Sequence, residues 1–296
     1  MFGLAEAAVR TPFLRSLAKL RRNFSAIAPT KVRLDFSDTQ KLHAEGMLLF
    51  VAELRRLIKA TQNRHKLECI VSRSNKVCQV FEQIGLSRLL DIDTGATPAD
   101  DDVVNWRFAH GHKAEGEKYE DILANYDGEI AEPMQEKLYT GITEAMTNVT
   151  NHAYDIPRQG GQGTAHECEW WMFSQHKDNV LSVTFCDLGA GIPVTLPMKR
   201  PKVWKRYLLM GKQRDSAAIE YSIKDSISRT GQDHRGKGLG QIARLIEGQI
   251  GADVAIFSNF GLYFKNHFKK HKKDYRDSIM GTLIHWKIPL KPKEDS

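Results

Sequence analysis

Cysteine is scarce in this chain, and none of the four (Cys69, Cys78, Cys168, Cys186) falls in a CxxC pair. That spacing excludes a zinc site and predicts reduced core cysteines, most of them inside strand-like runs. No apolar run reaches the length of about 18 residues that a membrane span needs. Internal repeats and low-complexity segments are missing as well. What remains, 41% hydrophobic and 27% charged residues in 296, is the composition of a folded globular protein with room for two cores.

Acid is also in short supply, but only locally. Residues 1–33 carry seven Lys and Arg against one acid, Glu6, so nearly all of the net +7 sits there. A basic, amphipathic start of this kind fits three descriptions. It could be an organellar transit peptide, an arm for nucleic acid, an acidic partner or a membrane surface, or a packing helix with a basic exposed side. All three stay open.

Residues 31–38 alternate like a strand, 43–60 carry apolar residues at helical spacing, and 67–72 read as a second strand. Residues 75–92 predict a short helix, a stop at Gly85 and a third strand, which makes 31–100 a small α/β domain. Its far boundary is the turn-rich acidic stretch 93–104, and 101–130 is a connector in which His110 and His112 lie in a loop. The second half, 131–292, predicts a helix at 134–154 and strands at 167–175 and 179–187 joined by a His-Lys-Asp turn. An aperiodic stretch at 192–234 follows, then a helix from Leu239 and strands at 253–259 and 281–290. The basic run 265–276 reads as a hairpin extension between those last two strands, either solvated or a site for an anionic partner.

The helix at 134–154 has an unusual polar side. At about 100° per residue, Met134, Leu138, Ile142, Ala145, Met146, Val149 and Ala153 share one arc. Glu144, Thr147, Asn148 and Asn151 share the opposite arc, with His152 at its margin. Glu144 and Asn148 are four apart, so they meet, and a carboxylate beside an amide oxygen suits a hydrated Mg²⁺. Two glycine clusters follow. "DLGAGI" ends an apolar strand with Asp187, Gly189 and Gly191, where a carboxylate suits an exocyclic amine and glycines admit a flat ring. "RGKGLG" (235–240) opens a helix and can cradle an anion.

The order polar helix, DxGxG after a strand, GxGxG into a helix, then Gly281-Thr282 resembles the GHKL ATP-binding superfamily of gyrase, heat-shock chaperones, MutL and sensor histidine kinases. "ITEAMTNVTNHAYD" is most similar to the N-box of anti-sigma-factor serine kinases. The resemblance implies a Bergerat-type α+β sandwich with a mostly antiparallel sheet, binding ATP and Mg²⁺. It implies Glu144 as the catalytic base and Asn148 as the Mg²⁺ ligand, with Asn151 where the family often has a phosphate-contacting Lys. Asp187 would take the adenine amine, with Gly189, Gly191 and Ile192 along the nucleotide and Thr282 supporting the base. Arg235, Gly236, Lys237, Gly238, Leu239 and Gly240 would hold the phosphates beneath a long basic lid, 192–235.

Residues 31–92 resemble a STAS domain, but His43-Ala44-Glu45-Gly46 replaces the phosphoacceptor-serine run, so docking is the expected role. Without a His-bearing dimerisation hairpin the chain is not expected to be a sensor histidine kinase. Three functions remain: an ATPase whose nucleotide state switches a protein or nucleic-acid-associated partner, a serine/threonine kinase acting on a STAS-type antagonist, or a nucleotide-responsive scaffold. The pairing of the two resemblances implies a bacterial, cytoplasmic setting, with a homodimer open. Nucleic-acid contact would run through residues 1–30, a basic helical arm, and through 265–276.

Overall fold

The structure, a computed structural model, describes residues 3–62, 65–114, 123, 130, 132–158, 168–199, 201, 205, 214–228, 239–240, 243, 246 and 249–290. Helix α1 (Ala7–Phe24) leads into strand β1 (Lys31–Asp35), helix α2 (Ala44–Ala60) and strand β2 (Lys66–Ile70), and β1 and β2 pair in parallel. Helices α3 (Asn75–Gln83) and α4 (Leu86–Leu90) flank Gly85 at φ +70°. The third strand expected here is therefore a helical turn. A left-handed glycine ends α3, and the chain re-enters helix with Leu86 and Leu90 buried.

After a single helical turn, α5 (Asp101–Val104), the segment expected as a connector supplies strand β3 (Arg107–Gly111), with His110 on it rather than in a loop. The main sheet runs β3, β4 (Trp170–Lys177), β5 (Val180–Asp187), β9 (Thr282–Pro289), β6 (Asp253–Ser258), β7 (Gly261–Asn266), β8 (Lys270–Asp274), and every neighbouring pair is antiparallel. The β4–β5 turn is Asp178-Asn179, at φ 52° and 55°, one step beyond the expected His-Lys-Asp. Two positive-φ residues form the turn that follows the twist of a hairpin. The basic run 265–276 is mostly strand: Lys270–Asp274 forms the sheet edge, where lysines oppose further pairing.

Alternation along each strand divides the apolar residues between two cores. Leu181, Val183 and Phe185 of β5, with Ile284, Trp286 and Ile288 of β9, face α6 (Glu132–Asn148) and α8 (Asp215–Ser228). Trp171, Phe173, Cys186, Phe257 and Leu283 face the opposite way, against α1 and α2. Strands covered on both sides read as unbroken apolar runs such as "WWMF". One apolar cluster runs from α1 through α2 into the rear of the sheet, so residues 3–104 share a core with it.

Helix α1 accordingly takes the packing alternative rather than the arm. Leu14, Leu17, Leu20 and Phe24 are buried, and so is Arg10. The Arg10 guanidinium donates to the carbonyls of Leu4, Asn259 and Asp277 and lies 4.1 Å from the centre of the Tyr275 ring. The four cysteines are free thiols; Cys69 and Cys186 lie in strands, whereas Cys78 is helical and Cys168 precedes β4. Among the described residues no helix is long and apolar enough to cross a membrane.

Candidate functional site

Burial of Met134, Leu138, Ile142, Ala145, Met146 and Val149 fixes the roll of α6 against the sheet. That roll turns Glu144 and Asn148 toward a cavity of about 400 Å³ in front of β5 and β9. After Asn148 the helix changes kind, for Val149–Ala153 is a π turn. A π turn holds more residues than an α turn, so the phase slips. Asn151, expected on the polar arc, is exposed and outside the cavity lining, while His152 and Ala153 enter it. The Asn148 Nδ2 atom is out of contact with solvent and has no hydrogen-bond partner.

Opposite this wall Asp187 ends β5, in register with Thr282 at the start of β9. The Asp187 carboxylate is buried, accepts the Gly189 N–H at 2.9 Å, and is bonded by the backbone and hydroxyl of Thr282. Burial pushes Asp187 up to about 6, against the pull of those hydrogen bonds and of Arg158. Thr282 Oγ1 lies 3.2 Å from Ser258 Oγ, which accepts the Ile192 N–H at 2.9 Å.

The glycines of "DLGAGI" are required by close packing, and of the two only Gly191 lines the cavity. A Cβ on Gly189 would stand 2.2 Å from the Ala153 carbonyl, which accepts the Ala190 N–H at 2.8 Å. The end of the π turn therefore packs on this loop, and Gly189 does not line the cavity. Gly191 sits at φ +85°, and a Cβ there would meet the Asn259 amide at 2.6 Å. Asn259 clamps the loop, donating from Nδ2 to the Ala190 carbonyl at 2.9 Å.

Gly191, Ile192, Leu239 and Thr282 join Glu144, Asn148 and Asp187 around the cavity. Arg235, Gly236, Lys237 and Gly238 lie outside the described residues. Leu239 and Gly240 are helical, and the Gly240 N–H donates to Ser226 Oγ at 2.6 Å. Where the lid was expected to be aperiodic, helices α7 (Ile192–Lys199) and α8 bracket it. They add Thr195, Leu196, Ser222 and Ser226 to the lining. The prolines of α7 and the serines of α8 weaken the helical signal that would announce these helices.

Sequence reasoning also missed a second buried carboxylate, on the other side of the sheet. Glu53 of α2 is fully buried. Arg158 binds it with both terminal nitrogens, at 2.8 and 3.3 Å, while Arg21 lies at 3.0 Å and Arg56 at 2.5 Å. Burial alone would raise Glu53, but the charges of Arg158, Arg21 and Arg56 outweigh it and hold the carboxyl well below its usual range. Only the three-residue spacing of Glu53 and Arg56 was visible locally. Tyr154, four residues before Arg158, donates to the Glu169 carbonyl at 2.7 Å and accepts the Leu188 N–H at 3.0 Å, which ties the π turn to the Asp187 loop.

Comparison of the chain with protein-family models, curated proteins and solved structures returned no match. The site therefore has to be argued from its own geometry. A buried acceptor on one wall and a base with an unpartnered amide on the other suit a ligand with a donor group at one end and a reacting, oxygen-rich group at the other. Among the described residues no three His, Cys, Asp or Glu side chains converge on a cation. Asn148 and Glu144 nonetheless fit Mg²⁺, which takes one or two protein oxygens and fills its shell with phosphate and water.

Proposed function

We propose that this protein binds ATP with Mg²⁺ in the α6–β5–β9 cavity, and that hydrolysis there switches its hold on a protein partner. The observation carrying the proposal is the buried Asp187–Thr282 pair facing Glu144 and Asn148 across one cavity. Asp187 accepts from the adenine amine, since an ionised carboxylate offers only acceptors. Asn148 would hold the metal, which when bound neutralises phosphate charge as it develops. Glu144 orients the attacking water and takes its proton. Helices α7 and α8 contribute Thr195, Leu196, Ser222 and Ser226 to the cavity wall. The segment 31–100, read as STAS-like with no serine in its His43–Gly46 turn, serves docking.

The test is incubation with γ-labelled ATP, with and without STAS-type proteins. Release of labelled phosphate, lost in Glu144→Ala, is the expected result. Label on the added protein would replace hydrolysis by serine/threonine kinase activity, and tight binding with neither product would leave a scaffold. An Asn148→Ala protein that binds MgATP like the wild type overturns the site.

A further inference from the structure

A second cleft, of about 520 Å³, opens on the rear side of the sheet between α2, the α3–α4 turn and edge strand β3. Arg55, Arg88 and Arg107 reach it from these three elements. Among the described residues none of the three forms an ion pair. Arg55 lies over Phe108, 5.0 Å from the ring centre, and its Nε is out of contact with solvent and lacks a hydrogen-bond partner. Arg107 spends Nη1 on the Val104 and Trp106 carbonyls, and the Arg88 side chain is exposed with no partner among the described residues.

The acids nearby are already engaged. Glu82, the one carboxylate lining the cleft, accepts the Ser87 hydroxyl at 2.6 Å and the Thr94 hydroxyl at 2.5 Å. Glu169, whose charge acts on Arg55, binds Lys59 at 3.2 Å and lies 3.7 Å from His112. Three guanidinium groups thus line the cleft against the single carboxylate of Glu82, which leaves it net positive. A bound anion offsets that charge. Guanidinium forks match the oxygens of a phosphate, and the Phe108 and His110 rings, 5.7 Å apart and tilted by 32°, offer a flat apolar wall beside them.

We propose that this cleft binds a small organic phosphate, its phosphoryl group on Arg55, Arg88 and Arg107 and its apolar or aromatic body on Phe108. The site lies on the opposite side of the sheet from the nucleotide cavity and does not depend on that reading. The test is calorimetric titration of the full chain, at low salt, with phenyl phosphate and with inorganic phosphate. Saturable one-to-one binding of phenyl phosphate is expected, at least tenfold tighter than inorganic phosphate. Arg88→Gln should weaken it at least tenfold, and because Arg88 has no partner to lose, that variant folds. Asp187→Asn, in the other cavity, should leave it unchanged. Any of four results overturns the proposal: no saturable binding at millimolar phenyl phosphate, equal affinity for the two probes, unchanged binding in Arg88→Gln, or loss of binding in Asp187→Asn.

Discussion

Asp187 and Glu53 are both buried carboxylates, and they titrate in opposite directions. Glu53 is enclosed by three arginines that satisfy both its oxygens, so it stays ionised far below its ordinary range. Asp187 has hydrogen bonds from Gly189 and Thr282 and only the field of Arg158, and burial wins, lifting it to about 6. Equal burial therefore separates a structural lock from a group kept available. The lock has a guanidinium partner on each carboxylate oxygen. The available acid borders open volume and is held next to a tolerable proton affinity, as functional groups tend to be.

Removing Glu53 should break this contrast most violently. Glu53→Ala leaves three arginines buried without a counter-charge, and an expected loss of about 3–5 kcal/mol should appear in urea unfolding. A loss below about 1 kcal/mol would mean that the cluster is no lock.

The pH dependence of stability comes next. Asp187 has a raised folded-state value, so its stabilising share is full below the unfolded value near 3.8 and disappears as pH rises through about 6. Wild-type stability should carry a falling component across that window worth up to about 3 kcal/mol, which Asp187→Asn removes. Asp253, likewise pushed up to about 6 by burial, leaves a residual slope. Glu53 acts with the reverse sign: its share is present above the unfolded value near 4.5 and is lost only in stronger acid. A stability profile unaffected by Asp187→Asn would remove the contrast.

Asn148→Ala should weaken MgATP binding by ~100-fold, about 2.7 kcal/mol, with the melting temperature nearly unchanged. Equilibrium binding with and without Mg²⁺ is the measurement. The smallest effect belongs to Glu220, a third carboxylate paired with Lys224, Lys270 and Lys272 at the surface. Partial burial raises it, yet the lysines bring it down to about 2. Glu220→Gln should still cost less than ~1 kcal/mol, because exposed pairs are screened, and chemical unfolding in high salt should erase even that.

The local periods were legible: the β1–α2–β2 unit, the buried arc of α6 and the strands around Asp187 all follow from spacing. The failures have physical causes. A π turn after Asn148 put Asn151 outside the cavity and His152 inside. Gly85 restarted a helix where a strand was expected. The hairpin expected at 265–276 is present, and its edge strand shows no alternation because an edge exposes side chains on both faces.

The sequence by itself determined which residues alternate and which helix face is apolar, and it led to the expectation that Glu144, Asn148 and Asp187, which line one cavity, lie together. Only the tertiary structure decided that α1 and α2 cover the rear of the same sheet, that Arg21, Arg56 and Arg158 enclose Glu53, and that the glycine loop is clamped by Asn259. Periodicity is a property of neighbours a few residues apart. Ion pairing and close packing also join distant residues, 32 apart for Arg21–Glu53, 69 for Asn259–Ala190 and 105 for Arg158–Glu53, and such partners are chosen only when the layers meet.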